Sequence, residues 1–403
     1  MILKAAWVVP VVGSPIQDGF VEIVADRIVR VGAVSELSLS FTETVDLGEA
    51  VLLPGFVNPH THLEMTGYAG TVPPTDFWPW IGKMIVLRAA PGMLDREQAG
   101  VREGARLSLR AGVTCIGDIS RTNLAWPVLK NIPIRKVCFA ELLSVADLPP
   151  RDPAELRRIA EEVAEDELLT VGFSPHAPYT VPRGQIRGAF ELAAELGRPW
   201  TMHLAETREE VAFLRGEANA LNPMFAKLLA ERGVHSPRCL PGELLAECAA
   251  GCGSGSVAHG NYLTEREYAR LAEQGHVVMY CPRSHHFFGH SPHPFAAMRR
   301  AGVTVALGTD SLASNQSLSM LDEMHFVHAQ IANPPEPNEL LRMATLDAAR
   351  ALNLEEQIGS LEAGKQADLG AFAMPAGVSD PVRHLIENPG EAQAVWIAGR
   401  RVK

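Results

Sequence analysis

The sequence of 403 residues predicts an α/β protein, a (β/α)8 TIM-like barrel with a small β domain built from both termini. Eight short apolar runs alternate with helical patterns through the middle of the chain, which is typical of right-handed βαβ units and a parallel sheet. Both ends instead alternate apolar and polar positions between tight turns, which is typical of short antiparallel strands. We therefore expect residues 1–53 and 360–403 to form the small domain and residues 54–359 the barrel.

The predicted barrel strands are separated by helices with recognisable start signals. Asp152, followed by Pro153 and Glu155, predicts a capped helix start, and Thr264 with Glu267 predicts a capping box. The predicted strands lie near residues 53–58, 113–117, 134–140, 169–173, 200–202, 255–258, 276–280 and 303–308.

Length, composition and charge limit the class of protein. A chain of this length fits one large barrel with a minor domain, or two to three ordinary domains. A hydrophobic fraction of 47% with 21% charged residues is typical of a globular, enzyme-sized protein. Because the net charge is -11 and Lys and Arg are not clustered, we expect neither nucleic acid nor an anionic membrane as a partner.

The apolar N-terminal stretch 1–12 is interrupted by Pro10 and lacks a basic leader, so it predicts a first strand and not a signal peptide. No run approaches the roughly 18 apolar residues of a membrane span. Six scattered cysteines fit a reducing compartment, and we expect a cytoplasmic protein. One alternative use of cysteine is a structural zinc site, although the spacing matches no common zinc finger. Its ligands would be His235, Cys239, Cys248 and Cys252.

Two histidines directly follow the first predicted barrel strand. His60 and His62 are spaced i, i+2, so both imidazoles project from the same face of an extended backbone, as a pair of metal ligands would. Other predicted strands also end in polar residues, which converge because functional groups of a barrel lie at the C-terminal strand ends. Taken singly, such residues could bond within the core or cap a helix. Together they predict a metal centre formed by His60, His62, His176, His203, His259 and Asp310.

Seven stretches form a pattern that covers nearly the whole chain. They are PGFVNPHTH at 54–62, SPHAPY at 174–179, HLAET at 203–207, AH at 258–259, CPRS at 281–284, LGTDS at 307–311 and IGSLEAGKQADL at 358–369. In these stretches the sequence resembles the amidohydrolase superfamily. The resemblance is to its mononuclear deaminase and chlorohydrolase branch, which includes cytosine, guanine and S-adenosylhomocysteine deaminases.

The resemblance implies a (β/α)8 barrel with a small β-sandwich and one divalent metal ion per chain. Zinc is the leading metal and iron(II) the alternative. A set of imidazole and carboxylate ligands that leaves one position open is a catalytic arrangement and not a structural one. Binuclear relatives carry a lysine at strand 4, and residues 171–176, VGFSPH, contain none, so we expect a single metal. The implied ligands are His60, His62, His203 and Asp310.

The same resemblance implies a hydrolytic mechanism. A metal-activated hydroxide would attack an electrophilic ring carbon. Glu206 would shuttle protons to the adjacent ring nitrogen and to the leaving ammonia, although its position also fits a carboxylate at a helix N-terminus. His259 and Asp310 would orient the hydroxide and help remove its proton, and His176 would hydrogen-bond a ring nitrogen of the substrate.

Loop residues give the expectation for the substrate. Aromatic residues with nearby arginines suit a flat substrate that carries a ring and a carboxylate, although aromatics in loops often only pack and exposed arginines are often only solvated. Residues 58–65 and 308–315 are also similar to deaminases of 6-amino-6-deoxyfutalosine in menaquinone biosynthesis. We expect that small molecule to bind Glu64, Trp78, Arg88, Arg121, Arg283, Phe287 and Ser311 in addition to His176.

Alternatives remain open. The enzyme could deaminate adenosylhomocysteine, methylthioadenosine, guanine or cytosine, or dechlorinate a triazine. The chain could also be a metal-free scaffold, against which the full set of strand-end residues argues. A homodimer is possible because dimers are common in the family.

Overall fold

The computed structural model describes residues 1–37, 43–121, 125–143, 152–217, 221 and 223–403, and of residues 223–225 only the backbone. Its strands are β1 (Ile2–Val8), β2 (Ile16–Val24), β3 (Arg27–Ala33), β4 (Thr44–Asp46), β5 (Ala50–Pro54), β6 (Phe56–Thr61), β7 (Val113–Ser120), β8 (Arg135–Leu142), β9 (Leu169–Pro175), β10 (Thr201–Leu204), β11 (Ser256–His259), β12 (Val277–Tyr280), β13 (Thr304–Leu307), β14 (Leu369–Ala373), β15 (Ala394–Ile397) and β16 (Arg400–Arg401).

Its α-helices are α1 (Phe77–Arg88), α2 (Met93–Arg110), α3 (Ala125–Leu129), α4 (Pro153–Glu162), α5 (Arg183–Leu196), α6 (Arg208–Arg215), α7 (Pro223–Glu231), α8 (Pro241–Cys248), α9 (Glu265–Glu273), α10 (Pro282–Phe287), α11 (Phe295–Arg300), α12 (Met320–Gln330), α13 (Pro337–Met343), α14 (Leu346–Ala351) and α15 (Pro381–Glu387). Two 3-10 helices span Val34–Glu36 and Leu63–Tyr68.

Two four-stranded parallel sheets occupy the middle of the chain, in the orders β6-β7-β8-β9 and β10-β11-β12-β13. Each of these strands overlaps one of the eight predicted apolar runs, so the α/β prediction with parallel sheets is confirmed. The first strand begins at Phe56, later than predicted, because the apolar stretch before it belongs to β5 of another sheet. The described residues form two separate parallel sheets and not one closed eight-stranded sheet.

Backbone groups join the two parallel sheets at the β9–β10 junction. The Phe173 N–H donates to the Pro199 carbonyl oxygen at 3.1 Å, and the His203 N–H donates to the His176 carbonyl oxygen at 2.9 Å. The two sheets also share one apolar cluster, so side chains from both sheets pack into a common core. Its strand residues include Val57, Cys115, Ile119, Val137, Phe139, Ala258, Val277, Met279 and Ala306.

Side chains dominate the second contact between the sheets, the β13–β6 junction. Asn58 makes two bonds with Thr309: its Nδ2 donates to Oγ1 at 2.7 Å, and its Oδ1 accepts the backbone N–H at 3.2 Å. The Thr61 hydroxyl donates to the Asp310 carbonyl oxygen at 3.1 Å. One backbone bond, from the Asp310 N–H to the His60 carbonyl oxygen at 3.0 Å, completes the junction.

Strands from both ends of the chain share an eight-stranded sheet in the order β16-β15-β14-β5-β1-β2-β3, with β4 beside β1. β5 pairs with β1 over two residue pairs and with β14 along its whole length. Only Gly55 separates β5 from β6, and a Cβ at this position would lie 2.1 Å from the Thr114 side chain. The glycine therefore lets the terminal sheet continue directly into the first parallel strand.

The predicted helix starts are present. The Asp152 side chain accepts the Glu155 N–H at 2.9 Å, and the Glu267 side chain accepts the Thr264 N–H at 2.8 Å. Across the described ranges, none of the helices combines the length and apolar character needed to cross a membrane. All six cysteines are free thiols.

Candidate metal centre and active site

The ends of β6 and β10 bring three histidines around one point. Ring nitrogens of His60, His62 and His203 all lie within 4.8 Å of one another, and the Nε2 atoms of His62 and His203 are 3.3 Å apart. Asp310, which follows β13, brings Oδ1 to 3.7 Å from the Nε2 of His62 and 3.9 Å from the Nε2 of His60. The structure thus brings together the four side chains that the sequence predicts as metal ligands.

The chemistry of these nitrogens fits a cation. His60 is fully buried, and within the described ranges neither of its ring nitrogens has a hydrogen-bond partner. Burial lowers the pKa of His60 and of His203 well below the usual 6.5, so both rings are neutral and offer lone pairs. The Nδ1 of His203 lies 3.0 Å from the His176 carbonyl oxygen; that contact requires an N–H and leaves Nε2 free to bind a metal. The site suits one divalent metal ion.

Hydrogen bonds fix the orientation of the Asp310 carboxylate. The Ser284 hydroxyl donates to Oδ2 at 2.6 Å, the Ser311 N–H donates to Oδ1 at 2.8 Å, and the Ser314 hydroxyl lies 3.3 Å from Oδ2. Asp310 has a φ of 58°, a conformation that costs a non-glycine residue about 1–3 kcal/mol. The side chain of Ser311, predicted to bind substrate, is only 1% exposed, and the residue lies beside the metal ligand.

Sequence reasoning missed the residues that hold these ligands. Ser284, Ser314, Asn58 and Thr309 received no role, although all four lie within stretches that resemble the family. The available signal was a small polar residue close to each predicted ligand. Behind them, the buried Glu323 carboxylate accepts the backbone N–H of residue 283 at 3.1 Å and so anchors the start of α10.

Glu206 and His259 lie beside the ligand cluster. The Oε1 of Glu206 is 3.6 Å from the Nε2 of His259, and the ring centroids of His259 and His60 are 5.3 Å apart. Burial is the main cause that raises the pKa of Glu206 well above the usual 4.5, and the charges of Asp310 and Glu210 raise it further, so the surroundings favour the protonated carboxyl. Burial lowers the pKa of His259 to about 4. A protonated acid next to a neutral imidazole is equipped for general acid–base catalysis.

His176 extends the polar site beyond the ligands. Its ring centroid lies 4.9 Å from that of His203, and its Nδ1 lies 2.7 Å from the Thr180 hydroxyl. Burial lowers the pKa of His176 to about 3, so the ring is neutral. A carboxylate oxygen of Glu141, at the end of β8, lies within 4.8 Å of nitrogens of both histidines. Glu141 was not among the residues predicted for the site.

Aromatic side chains line one side of the site. The half-buried Trp78 ring contacts Tyr179 with centroids 5.6 Å apart, and Tyr179 lies 6.1 Å from His176. Phe287 packs against Phe288 with centroids 5.1 Å apart. Both predicted aromatic residues thus pack against apolar clusters, and Trp78 is linked to His176 through Tyr179.

Arg88 and Glu64 bind each other. The Arg88 Nη2 donates to Glu64 at 3.1 Å, and its Nε donates to Glu97 at 2.6 Å. The Ser120 hydroxyl also donates to Glu64. Both glutamates are buried, so this guanidinium is engaged by two carboxylates.

The other two predicted arginines differ in their surroundings. The Arg283 guanidinium points to α12, with Nη2 at 3.3 Å from the Gln316 side chain and Nη1 at 3.8 Å from Asp322. Arg121 follows β7 and is half-buried, and within the described ranges its Nε has no hydrogen-bond partner. Arg88 and Arg283 each form an ion pair with a carboxylate. Among the described residues, no carboxylate forms such a pair with Arg121.

The cysteine-rich segment does not form a second metal site. Among the described residues, the groups whose ligand atoms come together are His60, His62 and His203, and Glu141, His176 and His203. The alternative zinc set is absent from these groups. That set was His235, Cys239, Cys248 and Cys252.

Parallel α/β sheets with a histidine and carboxylate centre at the strand ends are an arrangement typical of metal-dependent hydrolases. Residues 51–402 match the model of the amidohydrolase family, and the chain therefore belongs to that family. The resemblance inferred from the motifs is confirmed, and the protein is a hydrolase that acts on carbon–nitrogen bonds.

Known proteins resemble the chain over nearly its full length. A Moorella thermoacetica protein described as 5-methylthioadenosine/S-adenosylhomocysteine deaminase is 32% identical, with 92% of this chain and 84% of that protein covered. An adenosine deaminase from Xanthomonas campestris with bound zinc is 28% identical, with a TM-score of 0.84 and coverage of 99% and 92%. Helicobacter pylori aminofutalosine deaminase has a TM-score of 0.86 with both chains fully covered, but its 23% identity is evidence for the fold alone.

Proposed function

We propose that this protein is a metal-dependent hydrolytic deaminase of an adenine-type nucleoside. The observation that carries the proposal is the buried Glu206 carboxyl, 3.6 Å from His259 and next to the cluster of predicted ligands. Deamination needs an acid that protonates a ring nitrogen and then the leaving amine, and a carboxyl kept protonated by burial is suited to both steps.

The metal proposal rests on the donor set. We propose that His60, His62, His203 and Asp310 hold one zinc ion, with iron(II) as the alternative. The zinc-bound adenosine deaminase among the similar structures supports zinc. When bound, the metal lowers the pKa of water to roughly 7 and so supplies a nucleophile at neutral pH.

The protein side chains then divide the proton transfers among themselves. His259 and Asp310 accept hydrogen bonds or protons from the attacking water and set its direction. Glu206 gives its proton to the ring nitrogen beside the attacked carbon. Of the two protons of the added water, which His259 and Asp310 take up, one reaches the leaving amine through Glu206 to form ammonia and the other restores the Glu206 carboxyl. His176 contacts a nitrogen of the substrate ring, held in place by Thr180.

For the substrate, we propose 6-amino-6-deoxyfutalosine first, with methylthioadenosine and adenosylhomocysteine as the second candidates. The aromatic side chains beside His176 and a guanidinium that makes no ion pair with a described residue favour a substrate with a ring and a carboxylate. Arg121 is the proposed partner of that carboxylate, because Arg88 is engaged by two glutamates and Arg283 points to α12. The names of the similar curated deaminases favour the second candidates.

We further propose that the two parallel sheets form one (β/α)8 barrel within residues 54–359. The shared apolar cluster and the two junctions between the sheets support this proposal. Residues 1–53 and 360–403 would form the small β domain, supported by the strands that both ends contribute to one sheet.

The test is ammonia release from metal-loaded protein with 6-amino-6-deoxyfutalosine, methylthioadenosine, adenosylhomocysteine and adenosine side by side. We expect one of the first three to exceed adenosine in kcat/KM. The Glu206→Gln variant should retain its metal and lose roughly 10²–10⁴-fold in kcat. No turnover of any adenine nucleoside would overturn the proposal, as would full activity of Glu206→Gln. Guanine, cytosine and a chlorotriazine belong in the same assay, and metal analysis separates an enzyme from a metal-free scaffold.

A further inference from the structure

The turn that carries Glu206 is bound to the loop that carries His259. The turn comprises residues 204–206, and its middle residue, Ala205, has a φ of 52°, which a residue with a side chain rarely adopts. All three carbonyl oxygens of the turn accept hydrogen bonds from residues 260–262, directly after His259. The donors are the Gly260 N–H at 2.9 Å, the Tyr262 N–H at 3.0 Å and the Asn261 Nδ2 at 2.9 Å.

Glu210, in the first turn of α6, binds amides of the same turn. Its Oε1 accepts the Ala205 N–H at 2.7 Å, and its Oε2 accepts the Glu206 N–H at 2.9 Å. The Glu210 side chain is fully buried. The Thr207 hydroxyl caps α6 by accepting the Glu210 N–H. The Glu210 carboxylate does not take part in this cap and instead binds the strained turn that precedes it. Amides and carbonyls of the turn are thus held from two different elements.

We infer that Glu210 is a positioning residue that holds Glu206 at its working distance from His259. This inference rests on the proposed function, in which Glu206 carries protons. A carboxylate suits the task because it offers two acceptor oxygens to two consecutive N–H groups. A glutamine at this position offers only one acceptor oxygen, and its NH2 group would face a backbone N–H. The substitution Glu210→Gln therefore frees one side of the turn while it keeps the size of the side chain.

The chain contains a matched control for this substitution. Glu267, in the first turn of α9, is also buried and also binds two backbone amides, those of Gly242 at 2.7 Å and Thr264 at 2.8 Å. It lies outside the ligand cluster and the Glu206 turn. Glu267→Gln should therefore lower the midpoint temperature of thermal unfolding about as much as Glu210→Gln does, because both lose a bond between a carboxylate and a backbone amide. Unlike Glu210→Gln, it should leave kcat unchanged.

The first measurement is amide hydrogen exchange on the metal-loaded full-length protein, which does not depend on any substrate. In Glu210→Gln we expect faster exchange of the Ala205 and Glu206 amides, with the metal content unchanged. In Glu267→Gln the exchange of these two amides should equal that of the unaltered protein. If Ala205 and Glu206 keep their protection in Glu210→Gln, the inference is wrong.

The second measurement is a double-mutant cycle on the nucleoside that the unaltered protein turns over best. Glu210→Gln should lower kcat on the order of 100-fold with KM unchanged, since a misplacement of about 1 Å can cost that much. In the Glu206→Gln background it should have no further effect, because the group it positions is already inactive. A loss of equal size in both backgrounds would show that Glu210 acts independently of Glu206. If no nucleoside is deaminated, the proposed function fails, and the exchange experiment still decides the inference.

Discussion

The two junctions between the parallel sheets are built in different ways. The β9–β10 junction uses mainly backbone groups: the His203 N–H and the Phe173 N–H each donate to a carbonyl oxygen, and the His203 ring is the one side chain described above that bonds there. At the β13–β6 junction, three of the four bonds described above involve a side chain of Asn58, Thr61 or Thr309. Predicted metal ligands lie at both junctions.

The difference has a consequence for substitution. Backbone bonds form with almost any side chain, so the β9–β10 junction tolerates sequence change at its polar positions. Side-chain bonds require particular residues, so the distance between His60 and Asp310 depends on Asn58 and Thr309. Apart from the predicted ligands themselves, we therefore expect metal binding to be sensitive to substitution of polar residues at the β13–β6 junction and tolerant of it at the β9–β10 junction.

The largest effect is expected when a ligand of the β13–β6 junction itself is changed. Asp310→Asn keeps the shape of the side chain and removes its charge. Loss of a residue that hydrogen-bonds to a metal ligand typically lowers metal affinity by up to roughly 100-fold. Because Asp310 is a predicted ligand itself, we expect a larger fall. Competition with a chelator measures this affinity. Metal binding as tight as in the unaltered protein would remove Asp310 from the ligand set.

An intermediate effect is expected for Asn58→Leu, which leaves the backbone N–H of Thr309 without its acceptor and the Thr309 hydroxyl without its donor. We expect metal affinity to fall roughly 10–100-fold. The free energy of unfolding should fall by about 1–3 kcal/mol. Thr309→Val removes only the hydroxyl and should have a smaller effect on both quantities. If stability falls while metal affinity stays constant, the junction supports the fold but does not position the ligands.

The smallest effect is expected at the β9–β10 junction. The Ser174 hydroxyl is buried and has no hydrogen-bond partner within the described ranges, so Ser174→Ala breaks no such bond. We expect unchanged metal affinity and a change in unfolding free energy below about 1 kcal/mol. Chemical denaturation with chelator competition measures both. If Ser174→Ala lowers metal affinity and the free energy of unfolding as much as Asn58→Leu does, the two junctions do not differ in their sensitivity to substitution.

The strands, the helix starts and the predicted ligands could be predicted from the sequence, because each depends on residues close together in the chain. Apolar runs predicted the parallel strands, and polar residues at their ends predicted the ligand cluster, because strand ends in a parallel sheet share one face. Asp152 and Thr264 marked helix starts since capping involves neighbours only a few residues apart. His60 and His62 needed only the two-residue period of a strand.

Contacts between distant residues were not predictable in the same way. Asn58 and Thr309 are 251 positions apart, and nothing local in either segment specifies the other. Arg88 and Arg283 looked like free cations, but each meets acidic or amide groups that only the folded chain brings close. Glu210 received no role from the sequence, although the two amides that it binds are only four and five residues away, because its contacts depend on the strained turn at Ala205.

The connection from β5 through Gly55 into β6 places β5 early in the chain, far from the strand with which it pairs along its whole length. β5 carries the chain into the strand of His60, yet its full-length partner β14 is translated only after every parallel strand. Of the strand pairings that β5 makes with described residues, the two-residue pairing with β1 is the one available before then. Pairing between such distant segments is slow, and an exposed strand edge invites aggregation. We therefore expect nascent chains that stop before Leu369 to depend on chaperones.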